Sequence, residues 1–159
     1  MGTIRIVWGT ATGPTPMSSY DAALATANIH NYNLVSVSSV IPANATIDVV
    51  GEAPPLGPAG EKLTVVEARS TVAPEESGTA TACLGWVRES DGPGIFYESS
   101  GTDPTAVRER VEDGLTAGRE LRSWQFGDET YQAVSIESDA ESYTTALVVA
   151  VYGNSTPIL

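Results

Sequence analysis

The pattern of apolar and polar residues predicts strands along most of this chain of 159 residues. Ile4, Ile6 and Trp8 recur at every second position, which is the period of a strand with one buried face. The run Tyr143–Tyr152 is almost wholly apolar, which is typical of a central strand buried on both faces. The predicted strands are Thr3–Trp8, Asn33–Pro42, Lys62–Val72, Thr79–Glu89, Ile95–Glu98, Tyr131–Ser138 and Tyr143–Tyr152.

Two segments have the residue pattern of helices. Ser18 or Ser19 can cap an alanine-rich helix that runs from about residue 20 to residue 28. Asp103 and Pro104 form a second start signal, an N-cap followed by a proline at the first helical position. This second helix is predicted to run to about Arg122, and its apolar residues form one stripe with a spacing of four. The stripe consists of Val107, Val111 and Leu115.

Glycine and proline mark two irregular segments. The segment Gly9–Pro16 is predicted to be a turn-rich loop, and no P-loop lysine follows it. The segment Asn44–Gly60 holds three prolines and three glycines, and we interpret it as a surface excursion within one domain. Two helices and about seven strands without a repeat predict a single α+β domain over residues 1–159, with antiparallel sheet and helices on its faces.

A pair of serines, Ser38 and Ser39, interrupts the apolar run Asn33–Pro42. Serine is a poor strand former, and its hydroxyl needs a partner wherever it is buried. Neighbouring strand residues point to opposite faces, so at least one of the two is expected to face the interior. Taken alone, the pair has an ordinary explanation, in which both hydroxyls bond to the nearby backbone.

The charge of the chain excludes some partners. Its net charge is −12, from 20 acidic and 8 basic residues, and no basic cluster exists to neutralise phosphates. Nucleic-acid binding is therefore not expected. Seven of the basic residues are arginine and Lys62 is the only lysine, a composition similar to that of proteins from salt-loving organisms. An acidic protein of an organism without salt tolerance is the alternative.

Single cysteine and histidine residues limit the possible chemistry. Cys83 is alone and lies in an apolar run, so neither an intramolecular disulfide nor a cysteine metal cluster is expected. His30 is the only histidine, so no metal site is predicted, and a serine–histidine–aspartate triad would have to use it. The sequence shows no signal peptide and no apolar stretch long enough to span a membrane, which predicts a cytoplasmic protein without a membrane partner.

Four sequence blocks occur in the order and spacing of a known family. Residues 13–24 read GPTPMSSYDAAL, and residues 31–42 read NYNLVSVSSVIP. Residues 98–101 read ESSG, directly before the second helix, and residues 118–124 read GRELRSW. The chain resembles the pyruvoyl-dependent arginine decarboxylase family. This resemblance implies a helix–sheet–sheet–helix sandwich of mainly antiparallel strands, assembled as a homotrimer or a pair of trimers.

In that family the precursor cuts itself between the two serines. The resemblance therefore implies cleavage at Ser38–Ser39 into a β chain of residues 1–38 and an α chain of residues 39–159. Ser39 becomes a covalent pyruvoyl cofactor, with which the α-amine of arginine forms a Schiff base before carbon dioxide and agmatine are released. Asn33 falls on a family asparagine linked to processing; a role as a turn residue at the strand entry is equally compatible with the sequence.

The resemblance also assigns a proton donor and a substrate pocket. Glu98 matches the family glutamate that acts as the general acid, although a carboxylate at a strand end is commonly a solvated surface group. Glu89 is the alternative acid. Asp21 falls on the aspartate that binds the guanidinium, and it also suits the first turn of a helix.

Four further residues fall on family pocket positions. They are Met17, Leu24, His30 and Tyr32. His30 and Tyr32 differ from the small residues that the family has there, so a pyruvoyl decarboxylase of another amino acid is one alternative. An uncleaved relative that acts as a binding or regulatory subunit is the other.

Overall fold

The computed structural model describes residues 2–159, which form two helices and nine strands. The helices are α1 (Pro16–Thr26) and α2 (Pro104–Glu120). The strands are β1 (Thr3–Gly13), β2 (Asn33–Ser36), β3 (Val40–Ile41), β4 (Thr46–Gly51), β5 (Lys62–Val72), β6 (Thr79–Arg88), β7 (Gly94–Gly101), β8 (Thr130–Glu137) and β9 (Tyr143–Thr156). Neither helix is long and apolar enough to cross a membrane.

The strands form two sheets. The five-stranded sheet has the order β2-β5-β9-β1-β4, and the four-stranded sheet has the order β3-β7-β6-β8. The pairs β1–β4 and β2–β5 are parallel, and the other pairs are antiparallel. As predicted from its apolar run, β9 is a central strand, and its residues 144–151 are buried.

Three apolar layers hold the helices and sheets together. The layer between α1 and the outer face of the five-stranded sheet includes Val7, Leu24, Val65, Leu147 and Val149. The layer between the two sheets includes Ile6, Val66, Leu84, Phe96 and Val148. The layer under α2 includes Val87, Ile95, Val107, Val111 and Leu115. The order is thus helix–sheet–sheet–helix, which confirms the predicted α+β sandwich.

Helix α2 begins as the sequence predicts. The Asp103 carboxylate accepts hydrogen bonds from the backbone N–H groups of Thr105 and Ala106, at 3.0 and 3.3 Å. Two glycines lie where the helix approaches β7. A methyl group on Gly114 would overlap the Tyr97 ring, and one on Gly118 would come within 2.6 Å of Ile95. The missing side chains allow α2 to pack close to this strand.

The N-cap predicted for α1 is wrong. Thr15 is the N-cap, and its hydroxyl accepts a hydrogen bond from the Ser18 N–H at 3.0 Å. Ser18 completes a capping box by accepting from the Thr15 N–H at 2.9 Å. Ser19 is buried inside the helix, with its hydroxyl 2.7 Å from that of Thr145. Pro16 fixes the first helical position, so the helix starts four residues earlier than predicted.

Both irregular segments contain strand that the sequence analysis did not predict. Strand β1 continues to Gly13, because pairing with β9 extends over its whole length. The segment Asn44–Gly60 contains β4, an edge strand that pairs with β1 in parallel. Its exposed Val49 and Val50 obscure the alternation that a strand with one buried face would show.

Candidate active site

The run that contains the serine pair is not one strand, contrary to the prediction. Asn33–Ser36 form β2 at the edge of the five-stranded sheet, whereas Val40–Ile41 form β3 at the edge of the four-stranded sheet. Residues 37–39 connect the two sheets outside any strand. The serine pair therefore lies in a crossover, which frees it from the regular geometry of a strand.

The backbone of Ser39 is in the left-handed region, with φ at +63°. The other non-glycine residues with positive φ are asparagine or aspartate, which tolerate this conformation far better than serine. Hydrogen bonds hold the backbone on the carboxyl side of the strained residue. The Phe96 N–H donates to the Ser39 carbonyl at 2.8 Å, and the Tyr152 hydroxyl donates to the Val40 carbonyl at 2.8 Å.

The Ser39 hydroxyl donates a hydrogen bond to Glu98, with 3.2 Å between Oγ and Oε2. Glu98 lies on β7 and is half-buried. Burial raises the pKa of the Glu98 carboxyl above its usual range, and the hydrogen bond from Ser39 opposes this shift only in part. The structure thus brings together two predicted residues that are 59 positions apart in the chain.

Both residues line a cavity of about 440 Å³ at the edge of the four-stranded sheet. Its polar lining is Ser38, Ser39, Glu98 and Arg122, and its apolar lining includes Ile95, Phe96, Tyr97 and Leu121. The volume is within the range of small-molecule sites. An apolar wall beside the Glu98 carboxyl favours its protonated form, as a general acid requires.

The sequence analysis did not single out Tyr152 and Arg122. The Tyr152 hydroxyl contacts Val40, the residue that follows the serine pair. Burial and the nearby Glu98 raise the pKa of the Tyr152 phenol to about 12. Arg122 reaches the cavity from the residues that follow α2. The motif at residues 118–124 was a signal for Arg122, whereas only the pairing of β9 in the folded sheet places Tyr152.

Asn33 does not line this cavity. Its side-chain amide donates to the Gly60 carbonyl at 2.7 Å, and its own N–H donates to the Glu61 carbonyl at 2.8 Å. These bonds hold the start of β2 against the chain that enters β5. Glu89, the alternative acid, is also absent from the lining, and its backbone N–H donates to the Pro93 carbonyl at the turn between β6 and β7.

The residues predicted for substrate binding lie in and after α1, and none lines the cavity. Asp21 and His30 are exposed, and Met17 is 69% exposed. Leu24 is buried against the five-stranded sheet. The Tyr32 hydroxyl donates to the Gly57 carbonyl at 3.0 Å and accepts from the Leu56 N–H at 3.2 Å. Within one protomer the five-stranded sheet separates this group from the cavity.

The chain is similar to known proteins over nearly its whole length. The family described as pyruvoyl-dependent arginine decarboxylase matches residues 3–157. A pyruvoyl-dependent arginine decarboxylase of Halobacterium salinarum is 48% identical over 159 residues, which cover 99% of this chain and 98% of that protein. Enzymes of the same name from Pyrococcus horikoshii and Thermococcus sibiricus are each 33% identical, over 89% of this chain and 87% of theirs.

Proposed function

Because the chain belongs to the pyruvoyl-dependent arginine decarboxylase family, we propose that it converts L-arginine into agmatine and carbon dioxide. The observation that carries this proposal is the contact between the strained Ser39 and the half-buried Glu98 within one cavity. It joins the residue that would become the cofactor to a residue that can deliver a proton.

The surroundings of Ser39 fit a pyruvoyl group. A non-glycine residue with positive φ costs about 1–3 kcal/mol, and the cost arises from crowding around the Cα and Cβ atoms of an L-residue. A pyruvoyl group is planar at that carbon and has no preceding peptide bond, so conversion of Ser39 would remove this strain. The Phe96 N–H would continue to hold the carbonyl of residue 39.

We infer that the precursor cuts itself. The Ser39 hydroxyl would attack the Ser38 carbonyl carbon, and the peptide bond would be replaced by an ester. Removal of the Ser39 α-proton would then release Ser38 as a carboxylate, and water would displace ammonia from the remaining dehydroalanine. The backbone held at the Ser39 and Val40 carbonyls supports this proposal, because restricted geometry raises the rate of an intramolecular attack.

Asn33 is the family residue linked to processing, and our proposal is that it acts through position. Its bonds to Gly60 and Glu61 set where β2 begins and hence where the crossover that contains Ser38 leaves the sheet. In this role the asparagine does not have to touch the scissile bond.

In decarboxylation, the pyruvoyl group would accept the electron pair of the carbon–carbon bond that breaks as carbon dioxide leaves. Glu98 supplies the proton that replaces the carboxylate. A carboxyl with a raised pKa remains protonated at a higher pH than a solvated glutamate, which extends the pH range over which it can act as an acid. The apolar wall formed by Ile95, Phe96 and Leu121 would keep water from the carbanion.

We infer that substrate recognition requires a second subunit. Stacked sheets are about 10 Å apart, and the five-stranded sheet lies between α1 and the cavity. Asp21 of the same protomer therefore lies on the wrong side for an arginine bound beside Ser39. Asp21 of a neighbouring copy would face the cavity across an interface, with Met17, His30 and Tyr32 around it and Leu24 buried beneath. A homotrimer, or a pair of trimers, is the proposed assembly.

The test is carbon dioxide release from a panel of arginine, ornithine, lysine, histidine and aspartate. Asp21→Asn keeps the shape of the side chain but removes the charge that would match a guanidinium. We expect the specificity constant for arginine to fall by an amount equivalent to about 2–4 kcal/mol. Self-cleavage should continue. Asp113→Asn on the exposed face of α2 is the control and should leave all rates unchanged.

Preference for an uncharged or acidic amino acid would contradict the assignment of arginine as the substrate. Unaltered kinetics of Asp21→Asn would contradict the binding of a guanidinium by Asp21. The pyruvoyl chemistry would stand in either case. A chain that remains uncut and releases no carbon dioxide from any amino acid would instead favour a binding or regulatory subunit.

A further inference from the structure

Arg122 is held at the cavity by two contacts. Its Nη1 donates to the Gly118 carbonyl at 2.8 Å, in the last turn of α2. Its guanidinium also lies 5.5 Å from the centre of the Trp124 ring, within the distance of a cation–π contact. These contacts fix the position of the charge at the wall of the cavity that Ser38 and Ser39 also line.

No carboxylate neutralises this arginine within residues 2–159. The two ion pairs in that part of the chain are Arg108–Glu112 and Arg119–Glu129. A guanidinium has five N–H donors, and Arg122 uses one of them in a protein-internal hydrogen bond.

Glu98 does not fill this role, although it lines the same cavity. It lies beyond ion-pair distance of Arg122, and its hydrogen-bond partner is Ser39. Burial and hydrogen bonding account for the shifted pKa of Glu98, without a contribution from the guanidinium. The positive charge of Arg122 is therefore available to another anion.

The proposed self-cleavage creates such an anion at the cavity wall. When the Ser39 Cβ–O bond of the ester breaks, the electron pair goes to the oxygen, and Ser38 is left with a terminal carboxylate. The pKa of an α-carboxyl is about 3.5, so this group would be ionised at any physiological pH. Arg122 is the cationic side chain of the lining, and it would attract this carboxylate.

We propose that Arg122 binds the carboxylate of Ser38 in the cleaved protein and holds the new end of the β chain at the cavity wall. The inference rests on the proposed self-cleavage, which supplies the carboxylate. It makes Arg122 a positioning residue for the mature site. The cut end would otherwise be free to enter the space that the substrate needs.

The leaving carboxylate of the substrate is a poorer partner for Arg122. Its charge disappears as carbon dioxide forms, so an arginine bound to it would stabilise the substrate more than the transition state and would slow the reaction. The Ser38 carboxylate keeps its charge throughout the catalytic cycle. The two anions also predict different kinetics, since agmatine lacks a carboxylate and arginine has one.

The experiment places Arg122→Gln in two backgrounds, the cleaved protein and Ser39→Ala, which retains the peptide bond and has no new carboxylate. We expect the melting temperature to fall by at least about 4 °C more in the cleaved background, a shift typical of a broken interaction in a chain of this size. The β chain should also separate from the α chain during gel filtration in mild denaturant. Arg122→Lys should recover part of both losses.

Arg119→Gln is the matched control, because Arg119 lies at the same helix end, pairs with Glu129 and does not line the cavity. Its effect should be equal in the two backgrounds. Equal losses of melting temperature for Arg122→Gln in both backgrounds would overturn the proposal. Arg122 would then have only a structural role. A raised KM for arginine with unchanged inhibition by agmatine would assign it to the substrate instead. Failure of Arg122→Gln to cleave would also overturn it, and a wild-type chain that remains uncut would overturn self-cleavage as well.

Discussion

At the scale of single residues, Ser39 and Glu98 account for the proposed chemistry. Backbone contacts, and not side-chain packing alone, hold each of them in position. Ser39 is fixed through its own carbonyl and that of Val40. Glu98 follows Phe96 by two positions on β7, so both side chains point toward the five-stranded sheet. Phe96 thus anchors the strand that carries the acid.

The raised pKa of Glu98 predicts the pH dependence of turnover. The acid must be protonated to donate, so kcat should fall as pH rises through the pKa of Glu98, which lies above that of a solvated glutamate. Glu98→Gln should abolish this fall and lower kcat by roughly two to four decades. Self-cleavage should survive, because glutamine keeps an oxygen that can accept from Ser39. Near-normal turnover of Glu98→Gln would remove Glu98 from the mechanism.

The same shift has a consequence for stability. Because the folded protein holds the pKa of Glu98 above its unfolded value, the neutral form is favoured on folding. This contribution is fully present at pH values below the unfolded pKa and is lost as pH rises through the folded pKa. Ionisation of Glu98 therefore weakens the fold on the alkaline side.

The start of α2 was predicted correctly, because a local motif marked the Asp103 cap. The serine pair lies in a crossover and not in the predicted strand, and its contact with Glu98 brings two motifs together. The strained φ of Ser39 could not be predicted, because it results from contacts with two distant strands. The same holds for Tyr152, whose role depends on how β9 pairs with its neighbours rather than on any pattern within it.

At the scale of elements, the position of α2 against β7 sets the shape of the cavity. Gly114 and Gly118 face β7, and residues 117, 118, 121 and 122 form one wall. These two glycines lower the intrinsic helix propensity of α2. The structure shows why they are useful here, since side chains at these positions would push the helix away from Tyr97 and Ile95.

Gly114→Ala tests this packing. Alanine gains about 1 kcal/mol of helix propensity over glycine, but its methyl group would overlap the Tyr97 ring. Overpacking of this kind costs about 1–3 kcal/mol, so we expect a lower melting temperature and, because Tyr97 lines the cavity, slower turnover. Asp113→Ala is the control at the exposed neighbour, which raises propensity without a clash. Equal melting temperatures for Gly114→Ala and Asp113→Ala would contradict this account of the helix.

Edge strands were the elements that the sequence predicted least well. Strand β4 has exposed valines and few neighbours, and β3 is two residues long. Their pairing comes from tertiary contacts, which local periodicity does not report. Strands β5 and β6, by contrast, were predicted almost to their observed ends, because burial leaves a clear pattern along them.

At the scale of the whole molecule, the proposed active site is divided between two layers of the sandwich. The cavity lies at the edge of the four-stranded sheet, and Asp21 lies outside the five-stranded sheet. Exposed apolar side chains lie around Ser38 and Ser39, as expected for a surface that a second subunit covers. They include Val35, Val37, Val40 and Leu121, of which Leu121 is 82% exposed.

Assembly should therefore depend on salt. Each subunit carries a charge of −12, and repulsion between subunits is screened over about 10 Å at 0.1 M salt but about 3 Å at 1 M. We expect light scattering to show trimers or pairs of trimers at molar salt and smaller species at low salt. Carbon dioxide release should fall with dissociation. A monomer that retains full activity would rule out a site shared between subunits.

Self-cleavage between Ser38 and Ser39 is the central claim, and intact-mass spectrometry of the purified protein tests it most directly. We predict two masses, those of residues 1–38 and of residues 39–159 with residue 39 as a pyruvoyl group. Together they should equal the precursor plus one water and minus one ammonia. Ser39→Ala should give one uncut mass. A single uncut mass in a wild-type preparation that fully decarboxylates arginine would contradict the account.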